Sequence, residues 1–408
     1  MTIINRFLQD ILFNNKFKRQ MRFISGPRQS GKTTIAKIQL ERTNCNNFYY
    51  NWDLKEVRDR FRQNSNFLKE DLLKINKNDK LWVCFDEIHK MPDWKNILKG
   101  FFDNYEDKVN FIVTGSAKLD FFRRSGDSLA GRYFIFRLYP LILAEITGKK
   151  VEDIVPELTA EKTIEKFISG ERDAQNILEQ ILKFGSFPEP FINNSEYFLK
   201  KWHESYFERI IYEDIRSISG IQKIRKLEDL TYLLPSKIGS PLSINSLKKD
   251  LELNFNTVVN YLKYLFLTFV IFEIQPYKKN LKRLIKKEKK IYLYDFSLIP
   301  DEAAKFENFV AHELKTRIEL WNEITNDKFE LFFIRTRDKK ETDFLIIKNS
   351  KPFFLCEAKL QSTEIENHHY LHSRHLGQIP FIQIIKKENV LKVIDKNFYI
   401  VSASKFFK

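Results

Sequence analysis

Glycine and proline are scarce, 12 of each in 408 residues. This leaves no Gly/Ser-rich or Pro-rich linker and no low-complexity tract, so little of the chain is excused from packing. Only three cysteines occur, Cys45, Cys84 and Cys356, far apart and without the paired spacing of a zinc site or a disulfide framework. Cys84 and Cys356 fall inside apolar, strand-like runs and are expected as buried thiols in a reducing, cytoplasmic setting. The longest apolar run, Tyr264–Phe272, is too short to span a bilayer. The opening residues, Met1–Asp10, mix charge into their apolar pattern, unlike a secretory leader. Neither membrane insertion nor export is expected.

Positive charge and phenylalanine are what the chain has in excess. Lys and Arg number 69 against 54 Asp and Glu, a formal charge of +15. A polyanionic partner, DNA above all, fits that balance, because lysine and arginine displace counterions from phosphate. Acidic membrane surfaces and a Lys/Asn/Ile/Phe-rich codon bias are the competing sources. The 38 Phe residues supply core for more than one domain, and 408 residues exceed what a single core holds.

The densest signal is Gly26-Pro27-Arg28-Gln29-Ser30-Gly31-Lys32-Thr33-Thr34, a phosphate-binding loop pattern. Met21–Ser25 before it reads as a buried strand, and Thr33–Glu41 after it as a helix. Glycines at both ends let the backbone turn and aim N–H groups at phosphate oxygens, reinforced by the helix N-terminus. Lys32 is expected to bridge the β- and γ-phosphates of ATP, and Thr33 to ligate Mg2+. A helix over Ile3–Phe17, a strand at Asn47–Trp52 and a helix over Lys55–Lys74 are expected around this unit.

The strand Leu81–Phe85 runs into Asp86-Glu87. Asp86 is the candidate metal ligand and Glu87 the candidate base that orients or deprotonates the attacking water. A second strand, Asn110–Thr114, ends in Gly115-Ser116, making Thr114 or Ser116 a candidate γ-phosphate sensor. Arg132, after Gly131, is the best candidate for an arginine that stabilises transition-state charge, in cis or from a neighbouring copy, with Arg123 and Arg124 behind it.

These segments, with Phe85-Asp86-Glu87-Ile88-His89-Lys90-Met91-Pro92-Asp93-Trp94, Thr114-Gly115-Ser116 and Leu129-Ala130-Gly131-Arg132-Tyr133, resemble a prokaryotic AAA-type P-loop ATPase family. Its members carry a C-terminal restriction-endonuclease-like domain of unknown function. The resemblance runs along nearly the whole chain, including Phe306–Val310. It implies a RecA/AAA-like parallel sheet, a winged-helix module and a nuclease-like end. No substrate is implied.

The middle and end of the chain fit that outline. Ser243–Leu247 and Asn256–Leu265 read as two short helices about a turn, with Val258, Val259 and Leu262 facing inward. Val270–Ile274 and Ile291–Tyr294 read as a wing, and between them lies the run Lys278, Lys279, Lys282, Arg283, Lys286, Lys287, Lys289, Lys290. Beyond residue 300, Glu307 lies on a helical stretch and Asp343 opens a strand. Glu357-Ala358-Lys359 closes the next strand, the PD-(D/E)xK pattern. Alternation places Glu357 and Lys359 on one strand face. Asp343 and Glu357 would then share a second Mg2+ or a Mn2+, Lys359 would activate water against a phosphodiester, and Glu307 would add a contact. His368 and His372, one helical turn apart, have a spacing that also suits zinc, though solvated histidines are the ordinary alternative.

The expected fold class is thus α/β multidomain. It comprises a P-loop ATPase core (1–146), a helical extension (147–205), a winged helix-turn-helix module (206–299) and a restriction-endonuclease-like domain (300–408). The expected function is ATP hydrolysis coupled to a DNA-associated, nuclease-like tail, in a homo-oligomer if Arg132 acts in trans. The alternative is a nucleotide-dependent switch or scaffold whose tail binds without cutting.

Overall fold

A computed structural model describes residues 3–408 apart from residues 15, 18, 76–78, 116–128, 171–173, 217–220, 222–223 and 278–288. Ser116, Arg123, Arg124 and the basic residues Lys278 to Lys287 lie outside the described residues.

Five strands build the first sheet: β1 (Met21–Ser25), β2 (Tyr49–Asn51), β3 (Leu81–Asp86), β4 (Val109–Thr114) and β5 (Tyr133–Arg137). All pair in parallel in the order β2-β3-β4-β1-β5. A parallel sheet covered by helices on both faces needs central strands without alternation, and β3, Leu-Trp-Val-Cys-Phe-Asp, is buried at every position. Phenylalanine fills the layer beside it: Phe85 stacks on Phe101 (5.1 Å) and on Phe111 (5.9 Å). Helix α1 (Phe7–Leu12) is shorter than its periodicity predicts. The helix expected over 55–74 is two helices, Lys55–Gln63 and Phe67–Leu73. They divide where Asn64 accepts from the Asn66 N–H (2.9 Å), a side-chain turn that competes with the helical ladder.

Eight strands form the second sheet, in the order β12-β13-β11-β10-β9-β8-β6-β7. They are β6 (Ile271–Pro276), β7 (Lys290–Leu293), β8 (Phe329–Arg335), β9 (Glu341–Lys348), β10 (Lys351–Lys359), β11 (Phe381–Ile385), β12 (Leu391–Asp395) and β13 (Phe398–Ser402). The two strands expected as a wing, β6 and β7, are its edge, because β6 pairs in parallel with β8 through Gln275–Phe332 and Pro276–Phe333. One apolar core runs from Tyr139 to Phe407 across the helical segment, the helices Ile244–Leu251 and Phe255–Leu267, and this sheet. The boundaries expected at 205/206 and 299/300 therefore fall within a shared interior. Within the Phe255–Leu267 helix Val258 is buried, whereas Val259 is exposed together with Phe255 and Phe266. The inward face read from the sequence was one position too wide.

All three cysteines are free and buried. Among the described residues no helix is long and apolar enough to cross a membrane.

Candidate functional site

The cleft at the C-terminal ends of β1 and β3 has a volume of about 600 Å³. It is walled by the loop after β1, Asp86, Glu87, Tyr49, Ile3 and Ile4, and Pro188, Ile192 and Arg209 from the helical segment. Helix α2 (Lys32–Arg42) starts on Gly31, which has φ +99°. Gly26, at φ +140°, lies against the strand-end backbone: a Cβ there would sit 2.2 Å from the Leu138 carbonyl oxygen. Only glycine fits that approach.

Lys32 folds back over the loop, its Nζ donating to the carbonyls of Gly26 (3.0 Å) and Pro27 (2.5 Å). Burial lowers its pKa to about 8, against the pull of Glu87 and Asp86. Ser30 Oγ is buried without a hydrogen-bond partner among the described residues. Arg28 turns away from the loop and pairs with Glu213 (2.8 Å) and Asp214 (3.8 Å), on a π-helical turn, Arg209–Ile215. Single π turns recur at functional sites. This one also carries Arg209 into the cleft. Gln29, at φ 60°, and Thr34 complete the lining.

Asp86 is the hub. It accepts from Thr33 Oγ1 (3.0 Å) and Tyr49 Oη (2.5 Å) on Oδ2, and from Thr114 Oγ1 on Oδ1. The Thr33 hydroxyl and the Asp86 carboxylate, one from each motif, thus converge as a magnesium site requires, and the residues fit that ion. Glu87 follows in the left-handed region, φ 57°, a conformation that costs energy for a non-glycine residue and recurs at functional sites. Burial raises its pKa to about 7, with Lys32 pulling it down and Asp86 pushing it up.

The arrangement changes two sequence expectations. Thr114 spends its hydroxyl on Asp86, the candidate metal ligand. Arg132 precedes β5 at the far end of the sheet: its carbonyl accepts from Met21 N (2.8 Å), where β1 begins, and its guanidinium pairs with Asp103 (2.8 Å). The length of β1 separates it from Gly26, about 16 Å at roughly 3.3 Å per residue. Arg132 does not reach the loop of its own chain. Tyr49 and Arg209 were missed. Tyr49 sits in an ordinary strand sequence, and Arg209 approaches from more than 170 residues downstream, so neither carried a local signal.

The C-terminal residues Glu307, Asp343, Glu357 and Lys359 do come together. Asp343 N donates to Glu357 Oε2 (3.0 Å), Ala358 N donates to Asp343 Oδ2 (3.1 Å), and Lys359 pairs with Glu357 (3.0 Å). A residue the sequence placed in a DNA-gripping run stands between them. Lys290 Nζ contacts Glu307 Oε1 (2.9 Å), Glu341 Oε1 (2.6 Å) and Asp343 Oδ1 (3.0 Å), and its side chain is 1% exposed. Burial pushes Asp343 up, but Lys290 and the Ala358 N–H bring it below the usual carboxylate range. Burial and the Asp343 charge hold Glu357 well above it. These residues do not fit the second Mg2+ or Mn2+, because the Lys290 ammonium already neutralises Asp343 and Lys359 already pairs with Glu357. Among the described residues no group of three or more His, Cys, Asp or Glu is placed to hold a metal ion.

The histidines do not make a zinc site either. His369 Nδ1 and His372 Nδ1 both meet Thr342 Oγ1 (2.8 Å each), and His368 Nε2 meets the Glu341 carbonyl (2.7 Å). Burial lowers His369 to about 3 and His372 to about 4, so both are neutral props for the start of β9.

The five-stranded sheet, its glycine loop and the Thr33–Asp86 pair define an AAA-type P-loop domain. Residues 18–147 match the family described as "AAA domain". Residues 175–306 match one described as "Domain of unknown function (DUF8612)". Among curated relatives, the chain is similar to the uncharacterized protein MJ1544 of Methanocaldococcus jannaschii, 26% identical over 97% of this chain and 85% of the relative. It is also similar to the uncharacterized protein Rv2008c of Mycobacterium tuberculosis, 21% identical over 83% of this chain and 70% of that one. Among solved structures, AMPPCP-bound DnaA from Aquifex aeolicus overlaps 63% of this chain and 85% of its own, at 12% identity. Its TM-score of 0.32 leaves the overall arrangements different.

Proposed function

We propose that this chain binds ATP with Mg2+ in the β1–α2 cleft and hydrolyses it, with nucleotide state conveyed to the C-terminal body. The observation that carries the reading is Glu87, a half-buried carboxyl beside the Thr33–Asp86 pair and Lys32. Thr33 and Asp86 would hold the magnesium ion, which would neutralise phosphate charge. Gly26 to Thr34 would cradle the phosphates, with Lys32 leaving the Gly26 and Pro27 carbonyls to meet them. Glu87 would take the proton of the attacking water. Arg209 would meet the nucleotide from the helical segment. Arg132 would act on a neighbouring copy, which makes a homo-oligomer part of the proposal.

For the tail, Lys290 favours the second reading, a nucleotide-dependent switch or scaffold whose C-terminal module binds without cutting. The net charge of +15 supports DNA as its partner, and three free, buried cysteines fit a reducing, cytoplasmic setting. The exposed face of the Phe255–Leu267 helix, with Phe255, Val259 and Phe266, is too apolar to read base edges. DNA contact would therefore be to phosphates.

Phosphate release at saturating MgATP tests the hydrolysis reading. Glu87→Gln should keep nucleotide affinity and lose at least about 100-fold in turnover, the usual contribution of a positioned base. Turnover at the parent rate would refute the role given to Glu87.

A further inference from the structure

An aspartate opening one strand and Glu-x-Lys closing the next make a site only when a divalent ion draws the carboxylates together. Here another cation does so. An ammonium has three N–H donors. Lys290 donates to Glu307 (2.9 Å) and Asp343 (3.0 Å) and forms an ion pair with Glu341 (2.6 Å), so one ammonium serves three carboxylates.

The lysine is fixed from its backbone outward. Lys290 opens β7, opposite Ile274 of β6, and forms a further bridge with Pro241. Its stem lies beside the Phe333 ring, with Nζ 5.8 Å from the centroid. Further donors hold the same group of carboxylates. Arg335 pairs with Glu341 (3.1 Å), Tyr292 Oη donates to Glu307 (2.8 Å), and Lys359 pairs with Glu357. A divalent ion bound at about 2.0–2.6 Å from these oxygens would share the space of the ammonium and repel it. The buried stem gives Lys290 no exit to water while β7 stays paired.

We propose that Lys290 is the resident cation of this centre, neutralising Glu307, Glu341 and Asp343 in place of a metal, so that these carboxylates hold no divalent ion. The centre is then metal-free, and Lys359, 36% exposed, is the cation it presents outward. This goes beyond the hydrolysis proposal and does not depend on it.

Mn2+ titration of the full chain, followed by EPR without nucleotide or DNA, tests the assignment separately from turnover. In the parent chain, Asp343→Asn should leave the number of bound Mn2+ ions unchanged. Lys290→Ala should gain one ion per chain and lose it again in Lys290→Ala/Asp343→Asn. Mn2+ should raise the melting temperature of Lys290→Ala and not that of the parent. Lys290→Met, which keeps the stem volume, should behave as Lys290→Ala if the smaller side chain fails to fold. An Asp343-dependent Mn2+ site in the parent chain would overturn the proposal, and the parent titration alone decides this should neither variant fold. A folded Lys290 variant that gains no ion would overturn it as well.

Discussion

Glu87 offers the sharpest quantitative test, because burial sets its charge state within the pH range where the protein can be assayed. An ordinary glutamate near 4.5 is ionised throughout that range, whereas burial, with Asp86 adding to it and Lys32 opposing, brings Glu87 to about 7. A base at 7 is about 9% ionised at pH 6 and about 91% at pH 8, so kcat/KM should rise about tenfold between them. A base at 4.5 would change by only about 3% over the same interval. The assay is phosphate release at low ATP with Mg2+ in excess. ATP binding to Glu87→Gln, followed over the same pH series, removes the nucleotide's own titration. The same perturbation has a stability arm. A carboxyl whose folded pKa is raised stabilises fully below 4.5, and that stability is lost as pH rises through 7. Ionised and half-buried at pH 8, Glu87 costs on the order of 3 kcal/mol, from the gap between 4.5 and about 7. Glu87→Gln should therefore melt higher than the parent at pH 8 and the same at pH 4.5. A flat pH–rate profile, with equal melting at both pH values, would refute the reasoning.

Two further outcomes follow from the loop. Gly26→Ala puts a methyl group 2.2 Å from the Leu138 carbonyl, a backbone neighbour that cannot swing aside. It should abolish nucleotide binding in titration calorimetry and cost at least about 2 kcal/mol in thermal unfolding, and parent-like affinity would count against the geometry. Arg6 donates to Glu145 (3.0 Å), Ser30 O (2.8 Å) and Tyr139 O (2.5 Å), with both charged side chains under a tenth exposed. Arg6→Ala leaves Glu145 buried without its charge partner, a loss of about 3–5 kcal/mol. In Arg6→Ala/Glu145→Gln part of that loss should return, and strictly additive melting shifts would show that the pair is not coupled.

The nucleotide cleft was legible because its chemistry is local. A glycine loop needs a strand before it and a helix after it, and Asp86-Glu87 needs an apolar strand to carry it, all within short windows. The carboxylates at Asp343 and Glu357 were legible for the same reason, since strand alternation and strand ends set their faces, and Glu307 through the helical stretch that carries it. Lys290 was not. In sequence it ends a basic run, and nothing local separates a lysine that meets DNA from one buried under three carboxylates. Only the parallel pairing of β6 with β8, a contact across more than 55 residues, carries β7 to the centre. For Arg132 the sequence left open which end of the sheet it occupies. Its motif context, Gly131-Arg132-Tyr133, is compatible with either end of a strand, and the β1–β5 register decides which.

That nucleotide state should reach the C-terminal body rests on one helix. Glu302–Ile324 carries Glu307 in the carboxylate centre. Six residues on, about 9 Å along the axis, it carries Glu313, whose Oε1 accepts from Leu143 N (2.6 Å). Near its end Trp321 Nε1 donates to the Ile154 carbonyl (2.6 Å), and Leu320 joins the core of the P-loop domain. Leu143 belongs to the short stretch braced by Glu145, which Arg6 ties to Ser30 of the loop. Glu313 is itself buried and raised to about 7 by desolvation, with Arg317 opposing, and Arg317 donates onward to the Phe407 carbonyl (2.5 Å). A movement of the loop on meeting phosphate would therefore bear on a rod tied to both sites by hydrogen bonds. Coupling carried this way is reciprocal: a ligand that shifts the rod from the C-terminal side changes nucleotide affinity by the same factor. The scarcity of glycine and proline in the sequence suits such a coupling, since a displacement passed from one core to another would be lost at flexible joints.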